Sequence, residues 1–422
     1  MRTEDMILLS IDDHSIEPPD LFERHMPAKY KADAPRLIQD NGRDQWVFQG
    51  AKVGMAGLAA VVSWPKEEWG FDPVNFSEMR PGCYDINERV KDMDANGMLA
   101  GMNFPTFAGF SGTHLAGTPN TDLTVAAIQA YNDWAIDELA GSHPGRFIPL
   151  AILPVFNLDA AVAEAKRVAK KGCVAVSLPE TPYGLGLPSY GSGHFDPLFA
   201  ALLDGNITPC MHIAGAFQLI KRPSDAIQDD IMLIAPQVMT LTAVDLVLSG
   251  LLVRFPRLKF ALSEGGIGWV ASFLDRLERH VSNQSWTHVD KFPRGITPTQ
   301  MWKEHFLACF ISDPSGLNQR ERIGVNTIAW ECDYPHSDCT WPYSPEVLKA
   351  ELDAANCSDD DIDAITWRNV SSFFDYDPFK YVKKEDASVG ALRTRAAAAG
   401  VDVRETSKAE YKRRYEAALA NA

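Results

Sequence analysis

Two residues apart near the N-terminus, Asp12 and His14 offer a carboxylate and an imidazole, donor types that hold a divalent ion. They close the apolar run ILLSID (7–12), and side chains alternate along a strand, so 12 and 14 share a side while Asp13 faces the other. The same three residues also suit a surface turn in which Asp13 caps the next stretch of backbone. Further along, apolar runs end in His212 (CMHI, 210–213) and Asp333 (WECDYPH, 330–336). Alone, His212 reads as a satisfied core side chain and Asp333 as the anchor of a Pro-containing turn. Together, Asp12, His14, His212 and Asp333 supply two carboxylates and two imidazoles, a set that fits one divalent ion better than four unrelated roles. Zinc is the first expectation, with manganese or iron as alternatives, and the second carboxylate moves the set toward harder ions. Another run ends Ser263-Glu264-Gly265-Gly266. Its glycines allow close backbone approach and open a helix whose N-terminus favours an anion. Glu264 is then a base beside the ion, an extra ligand, or a carboxylate held by an arginine such as Arg276.

The elements that must position these groups alternate between short apolar runs and helix-period stretches, the mark of repeated β-α units and a parallel sheet. Strands are expected at 7–12, 98–103, 147–153, 173–178, 207–213, 258–263, 307–311 and 327–332. Helices are expected at 85–96, 122–141, 158–171, 195–205, 242–254, 266–281, 315–323 and 345–355. Eight of each in alternation point to a (β/α)8 barrel spanning 1–375, whose functional groups sit at the C-terminal strand ends. Residues 30–84, rich in Gly, Pro and Trp, form a lid-like insertion after the first strand. Residues 376–422 form a helical C-terminal extension that either caps the barrel or packs across a partner subunit in a homo-oligomer.

Bulk composition narrows the partners. A 422-residue chain that is 46% hydrophobic can bury a large core, and its net charge of −16 argues against nucleic-acid binding. The seven scattered cysteines contain no CxxC pair and read as reduced thiols of a cytoplasmic protein. No signal peptide or membrane-spanning stretch is expected, so the partner is a small-molecule substrate. Phe104, Phe107, Tyr183, Tyr190, Phe217 and Trp341 lie near the expected barrel mouth, where they either contact an aromatic or unsaturated substrate or pack the loops.

The segments SIDDHSIEPPDLF (10–22), CMHIAG (210–215), LSEGGIGWV (262–270) and WECDYPHSDCTWP (330–342) resemble the amidohydrolase superfamily, in its branch related to aminocarboxymuconate-semialdehyde decarboxylase. The resemblance runs over roughly residues 7–375 and implies a distorted (β/α)8 barrel. It implies Asp12 and His14 at the strand-one HxH site, His212 as strand-five ligand, Asp333 as strand-eight ligand, and His336 in reach of substrate. Two positions depart from it. Asp12 replaces the first histidine, and Glu264 stands where many relatives carry a catalytic histidine.

Those departures bear on the reaction. In a hydrolase, a metal-activated water attacks a small carbonyl compound while Asp333 or Glu264 takes its proton, which a carboxylate of ordinary pKa can do. In a non-oxidative decarboxylase a side chain must protonate carbon, which Glu264 does only if burial raises its pKa. The sequence therefore favours hydrolysis, with decarboxylation of an aromatic or unsaturated acid as the alternative, and a non-catalytic ligand-binding barrel as the more distant one.

Overall fold

The structure, a computed structural model, describes the chain except residues 54–55, 71–72, 74, 117, 217–224, 226–230, 288–289 and 421–422. It divides into two compact units, Met1–Leu150 with Cys332–Val347 and Asp377–Ala422, and Ala151–Glu331 with Leu348–Tyr376.

In the first unit, β1 (Leu9–Ser15) carries the Asp-x-His segment and is buried along its whole length. Strands β2 (Arg36–Asp40), β3 (Arg43–Phe48) and β4 (Ala51–Lys52) form a separate antiparallel sheet within residues 30–84. Its first turn is Asn41-Gly42, both at positive φ (52° and 80°), the backbone that a two-residue hairpin of native twist requires. Strands β5 (Ala100–Pro105) and β6 (Phe147–Ile148) join β1 in a parallel sheet of order β1-β5-β6. Between β4 and β5 runs the helix Ile86–Asn96. The Asp85 side chain accepts from the Asn87 and Glu88 amides at its start, and Gly97 ends it at φ 71°.

The C-terminal extension is docked on this unit. The helix Val389–Ala398 begins where the Val389 N–H donates to Met6 O (2.9 Å), and Arg395 pairs with Asp94 at 2.6 Å. Further on, the Thr406 N–H donates to Ser63 O (2.8 Å), and Tyr411 hydrogen-bonds Ser63 Oγ (2.6 Å) while buried with Val61 and Trp64.

The second unit is built on a parallel sheet of β7 (Leu150–Ile152), β8 (Ala175–Pro179), β9 (Thr208–His212), β10 (Phe260–Ser263), β11 (Phe306–Phe310) and β12 (Ile328–Trp330) in sequential order. Parallel neighbours need crossovers, supplied here by helices such as Leu158–Lys170, Asp196–Asp204 and Gly268–Asn283. Five-residue strands without an exposed position explain why β8, β9 and β11 read as continuous apolar runs. Register places His212 level with Pro179 on β8 and Ser263 on β10.

All eight expected strands are present, 147–153 being divided into β6 and β7 around Pro149. The helix expected at 242–254 starts earlier, at Ile231, and 315–323 is two short helices, Pro314–Asn318 and Arg320–Ile323. The helix Pro298–His305, opened by a Thr297/Gln300 capping box, was not anticipated. The result is a mixed α/β fold with parallel sheets. Among the described residues no helix is long and apolar enough to cross a membrane, and the seven cysteines form no disulfide.

Candidate active site

In the first unit the turn after β12 is stitched to β1. The Asp333 N–H donates to Asp12 O (2.8 Å) and the His14 N–H to Tyr334 O (2.7 Å). Ser10 Oγ donates to Asp12 O (3.0 Å) and accepts from the Cys332 N–H (2.9 Å). Asp333 itself sits at φ 57°, a left-handed conformation that costs a non-glycine residue roughly 1 kcal/mol. These bonds bring four of the predicted groups together. His14 Nε2 lies 3.5 Å from Asp12 Oδ1 and 3.3 Å from Asp333 Oδ1, and His336 Nδ1 lies 2.8 Å from that same Asp333 oxygen. The His14 and His336 rings stack at 3.9 Å, and all four residues are buried. One donor atom each from His14, Asp333 and His336 falls within 4.8 Å of the others, so this donor set fits a divalent ion.

Burial alone would raise the Asp333 carboxyl, but the charges and hydrogen bonds of His336 and His14 outweigh it and hold the group well below the usual carboxylate range. Asp13 points elsewhere, as strand alternation requires. Its Oδ1 accepts from the Tyr334 N–H (3.1 Å), and burial, opposed by Arg89, raises its carboxyl to about 8. Gly101 on β5 makes room for it, since a Cβ there would meet Asp13 Oδ2 at 2.2 Å. Arg89 donates to His14 O and to Asn103 Oδ1 (2.8 Å) and lies 4.0 Å over the Tyr334 ring, tying the site to the helix that carries it.

In the second unit, β9 ends in His212. Its Nδ1 is 2.6 Å from the Ile213 carbonyl oxygen, which only accepts, so Nδ1 carries the proton and Nε2 offers its lone pair. Nε2 lies 3.3 Å from Glu264 Oε2. Glu264 sits at φ 60°, its N–H donating to Glu331 Oε2 (3.1 Å), and Glu331 also accepts from Cys309 Sγ. Of the partners foreseen for Glu264, the one the geometry brings to it here is the histidine of β9. The anion expected at the following helix is the chain's own. Asp313 Oδ2 accepts from the Ile267 (2.8 Å) and Gly268 (2.6 Å) amides, so that helix start is already capped.

The predicted aromatic residues are scattered. Phe104 is buried in β5, with its ring 6.0 Å from that of His14. Tyr183 is 44% exposed and its hydroxyl donates to Asp245 (2.8 Å). Trp341 donates from Nε1 to Asp92 O (3.0 Å) under the Arg80 guanidinium (4.3 Å). Phe107 packs on Phe22 and Trp46, and the Tyr190 hydroxyl donates to Pro179 O (2.6 Å). Phe217 lies outside the described residues. Sequence reasoning passed over Phe110, whose ring is 4.8 Å from His14, and Glu17, whose oxygens accept from the Thr106 (3.0 Å) and Phe107 (2.9 Å) amides. Each stands within a few residues of a strand end, which was the available signal.

A model of the amidohydrolase family matches residues 27–375. The chain belongs to the amidohydrolase family. The matched span of this amidohydrolase holds His212, Glu264, Asp333 and His336, while Asp12 and His14 precede it. Membership makes the chain an enzyme of a metal-dependent family, with hydrolysis and decarboxylation as the two reaction types at issue. A search of curated proteins finds no match. Among solved structures, an amidohydrolase from Mycobacterium avium subsp. paratuberculosis K-10 is 22% identical with a TM-score of 0.65, covering 87% of this chain and 99% of that one. The 5-carboxyvanillate decarboxylase of Sphingomonas paucimobilis is 18% identical (TM-score 0.58, 88% and 99% covered). A dihydroxybenzoic acid decarboxylase from Polaromonas sp. JS666, with bound manganese and the inhibitor 2-nitroresorcinol, is 15% identical (TM-score 0.57, 88% and 97% covered). These are likenesses of fold.

Proposed function

We propose that this amidohydrolase is a metal-dependent carboxy-lyase, releasing CO2 without oxidation from a small aromatic or unsaturated carboxylic acid bound in a (β/α)8 barrel. The observation that carries the reading is the state of Asp333. A hydrolase of this design needs that carboxylate free to take a proton from water and pass it on. Here His336 Nδ1 lies 2.8 Å from the very oxygen that faces His14 Nε2 at 3.3 Å, so that oxygen is already engaged from two sides. A carboxylate so clamped is a poor proton carrier and a good permanent ligand. This moves the preference from hydrolysis, which the sequence favoured, to decarboxylation.

The proposed ligands are Asp12, His14, His212 and Asp333, as the order of the family's motifs implies, with His336 beside the substrate and Glu264 orienting His212. When bound, the divalent ion would supply Lewis-acid attraction for an anionic substrate. Two carboxylates among four ligands favour a harder ion, and the Polaromonas decarboxylase holds manganese, so we place manganese ahead of zinc. Around it, Phe104 and Phe110, whose rings lie 6.0 and 4.8 Å from that of His14, would supply apolar surface for a planar ring, as the substrates named for the two decarboxylases would need.

The test is product analysis. The protein, loaded with Mn or Zn, is incubated with hydroxybenzoic acids and with matched amides and esters, and CO2 and ring products are quantified. Stoichiometric CO2 from an acid supports the proposal. Ester or amide cleavage with no CO2 from any acid overturns it.

A further inference from the structure

Glu180 is the residue immediately after β8, at the C-terminal end of the strand whose last residue, Pro179, is level with His212. Functional groups of parallel α/β sheets gather at such strand ends. The side chain is 2% exposed, and neither carboxyl oxygen completes a hydrogen bond. The amides of Glu180 and Ala216 face it without reaching bonding geometry. Three hydroxyls close by in sequence or register, Ser177, Thr181 and Ser263, are likewise buried without a hydrogen-bond partner. Native folds rarely leave buried polar atoms unpaired, and those that remain are commonly functional. Among the described residues no group of three candidate metal ligands includes Glu180, so the carboxyl is not explained as a further ligand.

Burial raises this carboxyl to about 7, with the amides of Glu180 and Ala216 opposing. Among the described residues the other titratable groups that sense it are Tyr183, itself pushed up to about 12 by burial, and the buried Tyr190, raised well above its usual value, so both stay neutral at working pH. A carboxylic acid that is still substantially protonated near neutrality is the group a carboxy-lyase lacks at the strand-six position, where Glu264 is engaged with His212.

Resting on the carboxy-lyase reading, we infer that Glu180 is the catalytic acid that protonates the carbon losing CO2. The O–H bond of Glu180 breaks and its proton forms the new C–H bond. The bond to the carboxylate carbon then breaks, its electron pair returning to the ring as neutral CO2 departs. Glu180 is left as a carboxylate and regains a proton from solvent before the next turnover, so the net change is R–CO2⁻ plus H⁺ giving R–H plus CO2.

The experiment uses the full chain loaded with metal and the hydroxybenzoic acid that yields CO2. Glu180→Gln, close in shape but unable to release a proton, is expected to lower kcat by about 10²- to 10⁴-fold with bound metal and thermal midpoint unchanged. In D2O the wild type should exchange the product's ring hydrogen at that carbon, and the variant should not. Wild-type kcat should also fall as pH rises through about 7, which checks the assignment even if the variant does not fold. A variant within threefold of wild type, or a wild-type rate flat from pH 6 to 9, overturns the assignment of Glu180 alone. Absence of CO2 from the wild type with every acid overturns the carboxy-lyase reading and this role with it.

Discussion

His212 Nε2 stands 3.3 Å from Glu264 Oε2 while its Nδ1 is committed to the Ile213 carbonyl at 2.6 Å. Two acceptors at that separation repel unless a proton or a cation lies with them. An ion seated on Nε2 removes the conflict, and Glu264 then orients its ligand. His212→Ala should therefore abolish stoichiometric metal retention. Glu264→Gln, which offers an N–H to the same lone pair, should weaken metal binding by about 10- to 100-fold. Elemental analysis after dialysis against graded chelator measures both, and unchanged retention in Glu264→Gln would remove Glu264 from the coordination sphere's support.

His336 should matter to the fold before any chemistry occurs. Its Nδ1 lies 2.8 Å from Asp333 Oδ1, and its ring stacks on His14. Removing one partner of a buried charged hydrogen bond leaves the other unsolvated, so His336→Ala is expected to cost about 2 kcal/mol. Urea unfolding of the metal-stripped protein gives the value, and a change below about 0.5 kcal/mol would mean that His14 and the backbone hold Asp333 without it.

Gly101 is fixed by what it faces. A methyl group there would meet Asp13 Oδ2 at 2.2 Å and push the carboxyl off the Tyr334 amide. Gly101→Ala should destabilise by roughly 3 kcal/mol, and Asp13→Ala in the same chain should recover part of that loss by clearing the space. Strict additivity of the two substitutions in denaturant unfolding would refute the clash.

Glu17 links stability to pH. Burial lifts its carboxyl from 4.5 to about 7 against the Thr106 and Phe107 amides. A raised folded-state pKa means the fold favours the protonated form. Its contribution is thus complete below about 4.5 and is lost as pH rises through about 7. The full loss is about 3 kcal/mol for a group buried this completely. Glu17→Gln does not titrate, so the gap in unfolding free energy between it and wild type should shift in the variant's favour from pH 5 to pH 8.5. A gap independent of pH would show that Glu17 stays ionised throughout.

How much of this was legible in the residues depends on what carried the information. The parallel strands were readable as eight runs because fully buried strands are written as apolar stretches, as in FLACF of β11. The strand-end donors Asp12, His14, His212, Glu264 and Asp333 followed from where those runs stop. The hairpin β2–β3 carried its own signal, Asn41-Gly42, but a lid was expected there and the turn was not drawn out. Glu180, Glu331 and Glu17 were invisible for a different reason. What sets them apart is burial and the presence or absence of partners contributed from distant chain positions, and no local pattern encodes that. The capped helix Gly268–Asn283 shows the same limit. Asp313, some 45 residues downstream, fills a helix start that the sequence left open for an anion.

The docking of residues 389–411 on Met6, Ser63, Arg80 and Asp94 has a practical consequence. The tail behaves as a tethered ligand of the segment that follows β1, covering Val61 and Trp64 with Tyr411. Shortening the chain before residue 400 would bare that apolar patch and favour self-association, and a synthetic peptide spanning the missing residues would be expected to rebind and reverse it.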